Sequence, residues 1–356
     1  MSEFEPACHR MEWLDPFYKV IWEKAYKDAI PISGTFELTP RCNFDCGMCY
    51  VHLDSENISC YGKELSARDW LKIAEEAKKA GTTWLCITGG EPFLHPEFES
   101  IWEGLSKMGF FLTLQTNASL ISEKWTDLLE KYPPRQVKVT LYGTDNKIYE
   151  AVCGVKNGFS RVNDGIHTLM SIGIPITLVS TIVRQNECDV KNMMFYAYRH
   201  RLPWTLTSRI KGSYRIDKRD VGKFRLAKRE DEHIQKEIIR RLKEEDFLDP
   251  FRKPCTYCKD YRLGYWVLWN GDMSFCSFLN EMGISVTQLG FEKAWKQLVK
   301  YEETLEWPGE CNNCTANKVC FKCAASLAQE SGSVTDVSET YCNKIRRLYE
   351  KVKRER

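Results

Sequence analysis

The chain has 356 residues, a net charge of +2 and an apolar content of 43%. A charge so close to zero gives no general attraction to nucleic acid or to an acidic membrane surface. No run of about 18 apolar residues is present that would cross a bilayer, and the N-terminus lacks the basic stretch and apolar core of a secretory signal. The sixteen cysteines are therefore expected in a cytoplasmic setting, where clustered cysteines bind metal rather than form disulfides.

The first two thirds of the chain alternate short β-rich runs with polar helical runs, after an amphipathic helix predicted over Pro16–Ala29. The predicted strands are Thr35–Thr39, Thr83–Thr88, Phe111–Thr116, Gln136–Leu141, Ile176–Ile182 and Trp204–Ser208. The predicted helices between them are Ala67–Ala80, Phe98–Met108, Ser122–Lys131, Phe159–Ile172 and Cys188–His200. Serial β/α units predict a parallel sheet with helices outside. Because closure takes eight units, the predicted fold class is α/β, a partial (β/α)6 TIM-like barrel.

The cysteines return in the C-terminal region, after a charge-dense helical stretch over about residues 213–247. Asn270-Gly271, between Tyr265 and Cys276, predicts a β-hairpin with a type I′ turn. We therefore expect four parts: an N-terminal helical segment (1–34), the barrel (35–212), a helical linker (213–253) and a small cysteine-rich domain (254–356).

Three cysteines directly follow the first predicted strand, with the spacing Cys42-x3-Cys46-x2-Cys49. Chemistry in such barrels sits at the C-terminal ends of the strands. The spacing suits three thiolates on three irons of a four-iron, four-sulfur cluster, which usually has four cysteine ligands. The fourth iron would then be open to a substrate or cofactor. The alternative is a structural zinc site, which needs four ligands and finds only His52 as a further local candidate.

Two more motifs lie at the ends of the second and third predicted strands. The run Gly89-Gly90-Glu91-Pro92 combines glycines that allow close backbone approach with a carboxylate that can accept an ammonium group. The run Gln115-Thr116-Asn117 offers polar side chains to the same face. Three motifs in register, each at a strand end, indicate one site.

With these motifs, residues 35–210 resemble the core of radical S-adenosylmethionine (SAM) enzymes. The resemblance implies that the open iron binds the amino and carboxylate groups of SAM. It also implies that a 5′-deoxyadenosyl radical removes a hydrogen atom from an unactivated substrate carbon. The residues it assigns to cofactor binding are Tyr50, Gly89, Gly90, Glu91, Gln115, Asn117 and Ser180. For Ser180, and for Thr140, Tyr142 and Arg184 at other strand ends, packing of the barrel mouth is the open alternative.

The C-terminal cysteines, with the run Gly271-x4-Cys276, resemble the SPASM extension of radical SAM enzymes, which holds two auxiliary four-iron clusters. The family's interleaved pattern assigns Cys255, Cys258, Cys276 and Cys323 to the first auxiliary cluster. It assigns Cys311, Cys314, Cys320 and Cys342 to the second. The gap before Cys323 is one residue shorter than is usual in the family, so the division of Cys320 and Cys323 between the clusters stays open. Two zinc knuckles are the alternative.

Three four-iron clusters and SAM are thus the implied cofactors, and fully ligated auxiliary clusters favour electron transfer. The implied enzyme is a radical SAM oxidoreductase that crosslinks a ribosomally made peptide or oxidises its side chains; a small-molecule dehydrogenase is the alternative. Sulfatase maturation is disfavoured because Ser277 stands where those enzymes place an aspartate. Besides the peptide, a flavodoxin- or ferredoxin-like electron donor is implied, and oxygen-labile clusters imply an anaerobic cytoplasm. Because Cys42 lies near the start of the sequence, any leader recognition is expected from a separate protein.

No catalytic base is identified, although three acid–base side chains are candidates near the cavity: His52, Asp145 and Glu37. Basic residues after the sixth strand are expected either to hold an acidic peptide or to form a solvated face: Arg209, Lys211, Arg215, Lys218 and Arg219. The remaining cysteines are expected to be structural: Cys8, Cys60, Cys86, Cys153 and Cys188.

Overall fold

The structure is a computed structural model that describes residues 16–212, 221–249, 251–256, 258, 261–279 and 283–355. Its strands are β1 (Ser33–Glu37), β2 (Trp84–Thr88), β3 (Phe111–Thr116), β4 (Gln136–Thr140), β5 (Ile176–Thr181), β6 (Trp204–Thr207), β7 (Gly264–Val267), β8 (Asp272–Ser274) and β9 (Ile284–Ser285). Within the described residues they form one sheet in the order β6-β5-β4-β3-β2-β1-β7-β8-β9. Strands β1 to β6 pair in parallel with their sequence neighbours. The predicted α/β partial barrel with a C-terminal extension is confirmed.

Helices connect the strands and pack outside them. They are α1 (Pro16–Asp28), α2 (Ser55–Tyr61), α3 (Ala67–Lys79), α4 (Phe98–Lys107), α5 (Glu123–Lys131), α6 (Asn146–Cys153), α7 (Gly158–Ser171), α8 (Val190–Arg199), α9 (Ala227–Glu244), α10 (Val286–Leu289), α11 (Phe291–Thr304), α12 (Ala324–Ser331) and α13 (Glu339–Arg354). The predicted helices between the strands correspond to α3, α4, α5, α7 and α8. Helices α2 and α6 were not predicted, because each is a short helix within a long loop. None of the helices in the described residues is both long and apolar enough to cross a membrane.

Helix α3 shows how sequence pattern becomes packing. Ser66 and Asp69 form a reciprocal capping box at its start, which satisfies amide groups that have no partner in the first turn. Trp70, Ile73 and Ala77 then recur at helical spacing and are buried. The Trp70 ring lies 4.8 Å from the ring of Phe36, so α3 is fixed against β1, the strand that leads into the first cysteine motif.

The C-terminal hairpin extends the barrel sheet beyond β1. Strand β7 pairs in parallel with β1, from Ser33 opposite Gly264 to Phe36 opposite Val267. A Cβ atom on Gly34 would lie only 2.4 Å from the ring of Tyr265, so glycine is needed there. The C-terminal cysteine region is therefore attached to the same sheet as the first cysteine motif.

The hairpin itself was predicted correctly, but its type I′ turn was wrong. Pairing ends at Val267 opposite Met273, and the Leu268 amide donates to the Asp272 carbonyl. Gly271 has a φ of +88°, while Asn270 is not among the residues with positive φ. A type I′ turn needs positive φ at both central residues. The longer turn places only its last residue, Gly271, in the left-handed region.

Substitution of Gly165 should destabilise the barrel. A Cβ atom added to this α7 residue would lie 2.0 Å from the carbonyl oxygen of the buried Ala118. We expect Gly165→Ala to lower the free energy of unfolding by about 1–3 kcal/mol, the usual effect of overpacking. Gly309→Ala is the control, because no atom lies within 4 Å of its added Cβ. Urea unfolding followed by tryptophan fluorescence measures both, and equal stability of the two variants would contradict the packing described here.

Candidate functional site

The first three cysteines lie in the irregular loop between β1 and α2. Backbone amides point at two of the sulfur atoms: Phe44 N lies 3.4 Å from Cys42 Sγ, and His52 N lies 3.3 Å from Cys49 Sγ. Such N–H donors favour the thiolate form, which is the form that binds metal. Burial raises the pKa of the Cys42 thiol, and the Phe44 amide opposes the rise. A cation bound by the sulfur would also favour the thiolate.

Helix α6 buttresses this loop from one side. The amides of Asp45 and Gly47 donate to the carbonyls of Cys153 (2.9 Å) and Val152 (3.2 Å) at the end of α6. Cys153 is fully buried, and its thiol forms a hydrogen bond with Cys46 that raises the pKa of Cys46. No sequence signal predicts this contact, since nothing local to Cys153 relates it to the motif.

The end of β3 holds the loop from the other side. Asn117 Nδ2 donates to Asn43 Oδ1 (2.9 Å) and lies 3.9 Å from Cys42 Sγ. Asn43 Nδ2 in turn donates to Ser119 Oγ (2.8 Å), and Ser119 donates to Asn117 Oδ1 (2.6 Å). These closed contacts fix the orientation of the loop where Cys42 begins it.

Gly89 and Gly90 bring the end of β2 against the same loop. The Gly90 amide donates to the Thr39 carbonyl (2.7 Å), and the Glu91 amide donates to the Arg41 carbonyl (2.8 Å). A Cβ atom on Gly90 would lie 2.3 Å from the Arg41 carbonyl oxygen. The close backbone approach expected from these glycines is thus made to the cysteine loop.

Glu91 is fully buried and ties the end of β2 to that of β3. The Thr116 hydroxyl lies 2.7 Å and 2.8 Å from its two carboxylate oxygens, and the Asn117 amide donates to Oε2 (2.8 Å). Burial raises the pKa of Glu91 to about 7, although hydrogen bonds from Asn117, Thr116 and Phe93 oppose the rise. Its expected contact with the SAM ammonium stays a prediction, made by a carboxylate that already has these donors.

The other residues assigned to cofactor binding occupy different environments. Gln115 is half-buried on β3 and pairs with Lys138 of β4. Ser180 is buried, where its hydroxyl donates to the Leu141 carbonyl (2.6 Å) and accepts from the Trp204 indole (2.9 Å). These contacts are typical of packing at the barrel mouth, and a role of Ser180 in cofactor binding stays a prediction. The ring of Tyr50 lies 4.2 Å from that of Phe278, which belongs to the C-terminal region.

The three candidate bases also have different surroundings. Asp145 accepts amide hydrogen bonds from Lys147 (2.7 Å) and Ile148 (2.9 Å) as the cap of α6, which is a structural role. His52 Nδ1 lies 3.4 Å from Asp45 Oδ1. Glu37 is fully buried at the end of β1.

The C-terminal cysteines gather in two places. Cys255, Cys258, Cys276 and Cys323 form one group, within which the charges of Cys258 and Cys323 act on both Cys255 and Cys276. The other four line one cavity whose atom-free space is about 470 Å³, partly open to solvent: Cys311, Cys314, Cys320 and Cys342. The structure thus separates Cys320 from Cys323.

A single metal ion does not suit these groups. Within the described part of the chain, no three His, Cys, Asp or Glu side chains are arranged to hold one ion. A zinc ion needs its four ligands about 2–2.3 Å away. A four-iron cluster binds each thiolate through a different iron, so its ligands stand farther apart. Cysteine thiolates are the usual ligands of such clusters, so the donor chemistry of both groups fits a four-iron cluster.

Lys211, which the sequence assigned to a basic patch after the sixth strand, lies beside a C-terminal cysteine. Its ammonium nitrogen is 2.9 Å from Cys323 Sγ, among the cysteines rather than on a peptide-binding face. Burial lowers the pKa of Lys211, but the charges of nearby Cys323, Cys276 and Cys258 outweigh that effect and leave it raised. Arg209 Nη2 lies 3.1 Å from His233 Nε2. The other basic residues of that predicted patch, Arg215, Lys218 and Arg219, lie outside the described residues, as does Cys8.

Comparison with known proteins identifies the barrel. Residues 36–197 match the family described as the radical SAM superfamily. The chain is 28% identical over 163 residues to a probable GTP 3′,8-cyclase of Pyrobaculum aerophilum, which covers 45% of this chain and 51% of the relative. It is 27% identical over 165 residues to the antilisterial bacteriocin subtilosin biosynthesis protein AlbA of Bacillus subtilis, 46% of this chain and 36% of that protein. The chain thus spans about half of the length of the first relative and 36% of the second.

The fold of the whole chain has solved counterparts. Streptococcus suis SuiB, solved with its precursor peptide SuiA, is 17% identical, with a TM-score of 0.64 over 92% of this chain and 81% of that one. At this identity the likeness shows the fold alone. It extends through the C-terminal region, so the predicted resemblance to radical SAM enzymes with a SPASM extension is confirmed at the level of the fold.

Removal of the Thr116 hydroxyl should destabilise the site in a pH-dependent way. Because the pKa of Glu91 is raised in the fold to about 7, ionised Glu91 lowers stability increasingly as pH rises from its unfolded value toward 7. Loss of the Thr116 donor would raise the pKa of Glu91 further and so increase this loss of stability. We expect Thr116→Val to lower the free energy of unfolding by about 1.5–3 kcal/mol at pH 8, and by less at pH 5.5, where Glu91 is protonated.

Urea unfolding of the full chain at both pH values measures this difference. Thr113→Val is the matched control, because Thr113 lies on the same strand but on the half-buried face away from Glu91. A Thr116→Val effect that does not change with pH would contradict the role given to Glu91.

Proposed function

We propose that the chain, whose residues 36–197 match the radical SAM superfamily, oxidatively modifies a ribosomally made peptide by forming a crosslink or oxidising a side chain. In the proposed enzyme, Cys42, Cys46 and Cys49 hold a four-iron cluster, and SAM binds at its open iron. The observation that carries the proposal is the convergence of three strand-end motifs on one loop. Gly90 and Glu91 bond to that loop through their amides, and Asn117 through its side chain.

The cluster and SAM, when bound, supply a carbon-centred oxidant strong enough to remove a hydrogen atom from an unactivated carbon. The residues of the chain provide the setting. The Phe44 and His52 amides, which point at the sulfurs of Cys42 and Cys49, stabilise thiolates. The hydrogen bonds among Asn43, Asn117 and Ser119 fix the loop. A reactive oxidant needs such a rigid, water-poor surround, since loose geometry would allow side reactions.

The two C-terminal cysteine groups are proposed as auxiliary four-iron sites. Each group has four thiols, which leaves no iron open and favours electron transfer. Removal of one hydrogen atom and one further electron, with loss of a proton, completes a two-electron oxidation of the substrate. The auxiliary sites would accept that second electron, and a flavodoxin- or ferredoxin-like protein would supply the electron that starts each cycle.

A peptide is the favoured substrate because two of the similar proteins act on or bind peptides by their descriptions. AlbA is a bacteriocin biosynthesis protein, and SuiB was solved with a precursor peptide. The probable GTP 3′,8-cyclase, which is similar at 28% identity, keeps a small-molecule substrate as the second candidate. Leader recognition by a separate protein belongs to the peptide proposal.

Iron analysis tests the cofactor proposal. The anaerobically reconstituted chain should hold about twelve irons, four at each of three sites. We expect the triple variant with Cys42, Cys46 and Cys49 replaced by alanine to lose about four irons and all cleavage of SAM. Cys323→Ala and Cys320→Ala should each remove a different auxiliary electron paramagnetic resonance (EPR) signal. Cys60→Ala and Cys188→Ala, at exposed cysteines outside the motifs, should change neither iron nor activity. Zinc in place of iron would overturn the proposal.

Mass spectrometry tests the reaction. The chain is co-expressed anaerobically with the short open reading frames beside its gene, in deuterated water. We expect one peptide to lose two hydrogens, and the triple cysteine variant to leave it unchanged. A gain of one deuterium would instead show epimerisation. Cleavage of SAM without change in any peptide would favour the small-molecule candidate.

A further inference from the structure

Lys211 carries a positive charge into the first group of C-terminal cysteines. It follows β6 by four residues and is half-buried. Its ammonium nitrogen lies 2.9 Å from Cys323 Sγ and 5.1 Å from the centre of the Phe278 ring. The charges of Cys276 and Cys258 also act on this ammonium group. A barrel residue thus contributes a cation to the auxiliary cysteines.

The ammonium has sulfur as its anionic neighbour. Among the described residues, no carboxylate forms an ion pair with Lys211, and the Lys211 ammonium donates a hydrogen bond to Cys323 Sγ. A partly buried charge is costly unless it is compensated. Four thiolates on a four-iron cluster would provide that compensation, so the lysine and the proposed cluster fit each other.

Phe278 places this cation on the side that faces the first cysteine loop. The Phe278 ring lies 4.2 Å from the ring of Tyr50, which directly follows Cys49. The Phe278 amide lies 3.5 Å from Cys276 Sγ. Tyr50, Phe278 and Lys211 therefore form a continuous contact from the first cysteine motif to the first auxiliary group.

We propose that Lys211 is a positioning residue that raises the reduction potential of the cluster held by Cys255, Cys258, Cys276 and Cys323. This inference rests on the proposed function. Hydrogen bonds to cluster sulfurs are among the features that set the potential, and a cationic donor favours the reduced cluster because reduction adds negative charge. The substrate radical gives up one electron, and this cluster is reduced by that electron before passing it on.

The test is an EPR-monitored redox titration of the reconstituted full chain, in the triple Cys42, Cys46 and Cys49→Ala background so that only auxiliary sites contribute. We expect Lys211→Met to decrease the reduced-to-oxidised ratio of the first auxiliary cluster at least tenfold at a fixed potential. For one electron, that is a midpoint about 59 mV lower. Lys211→Arg keeps charge and donor and should retain the midpoint.

Lys322→Met is the matched control. Lys322 lies at the cavity of the second cysteine group, where it donates to Asn317 Oδ1 (2.9 Å), and its loss should leave the first auxiliary midpoint unchanged. If Lys211→Met does not retain the cluster, the midpoint of Lys211→Gln is measured instead, and we expect it to be lower than that of the unchanged chain. An unchanged midpoint in the variant that retains the cluster would contradict the role proposed for Lys211.

Failure of the proposed function gives a different result. If Cys255→Ala and Cys323→Ala leave the iron content unchanged, the first group holds no cluster, and both proposals fail. If these variants each lose about four irons while Lys211 variants keep the original midpoint, the cluster assignment stands and only the inference on Lys211 is wrong.

Discussion

The buried carboxylate of Glu91 is the interaction on which the rest of the site depends. The Glu91 amide donates to the Arg41 carbonyl in the cysteine loop. The Glu91 carboxylate accepts hydrogen bonds from the Thr116 hydroxyl and from the Asn117 amide at the end of β3. A buried carboxylate is tolerated only where such donors surround it. The Asn117 side chain then returns to the loop at Asn43. Two strand ends and the loop are therefore held in one geometry.

A second constraint comes from the pairing of β7 with β1. Because β7 continues the barrel sheet, backbone hydrogen bonds hold the hairpin that leads to Cys276 against the barrel. The Tyr50–Phe278 ring contact follows from this arrangement. The second cysteine group is packed differently, since Ile238 of α9 lies in one apolar cluster with Val319 and Ile345, against which Cys314 and Cys320 pack.

The sequence predicted the features that depend on local pattern. The six parallel strands, the helices between them and the three motifs at strand ends all arise from short-range periodicity and spacing. Two contacts could not be predicted, since they join distant residues: the Cys153 thiol with Cys46, and Lys211 with Cys323, which is 112 positions away. The same limit explains why Lys211 was assigned to a basic patch. Among local features, the turn type at Gly271 was wrong, because pairing ends earlier than the Asn-Gly pair suggests, and the short helices α2 and α6 were not predicted.

The two C-terminal cysteine groups differ in how their cations are placed. Lys211 is half-buried between the barrel and the first group, where water screens its charge only in part. Arg346, which forms a hydrogen bond with Cys314 of the second group, is exposed, and exposed charges are strongly screened by solvent and salt. The second group also has two cations that solvent screens less. Arg252 is buried and donates to the Cys320 carbonyl (2.6 Å), Lys322 is half-buried, and the charges of both act on the Cys320 thiol. Cations therefore lie next to both groups, and the first group differs in that its cation, Lys211, comes from the barrel.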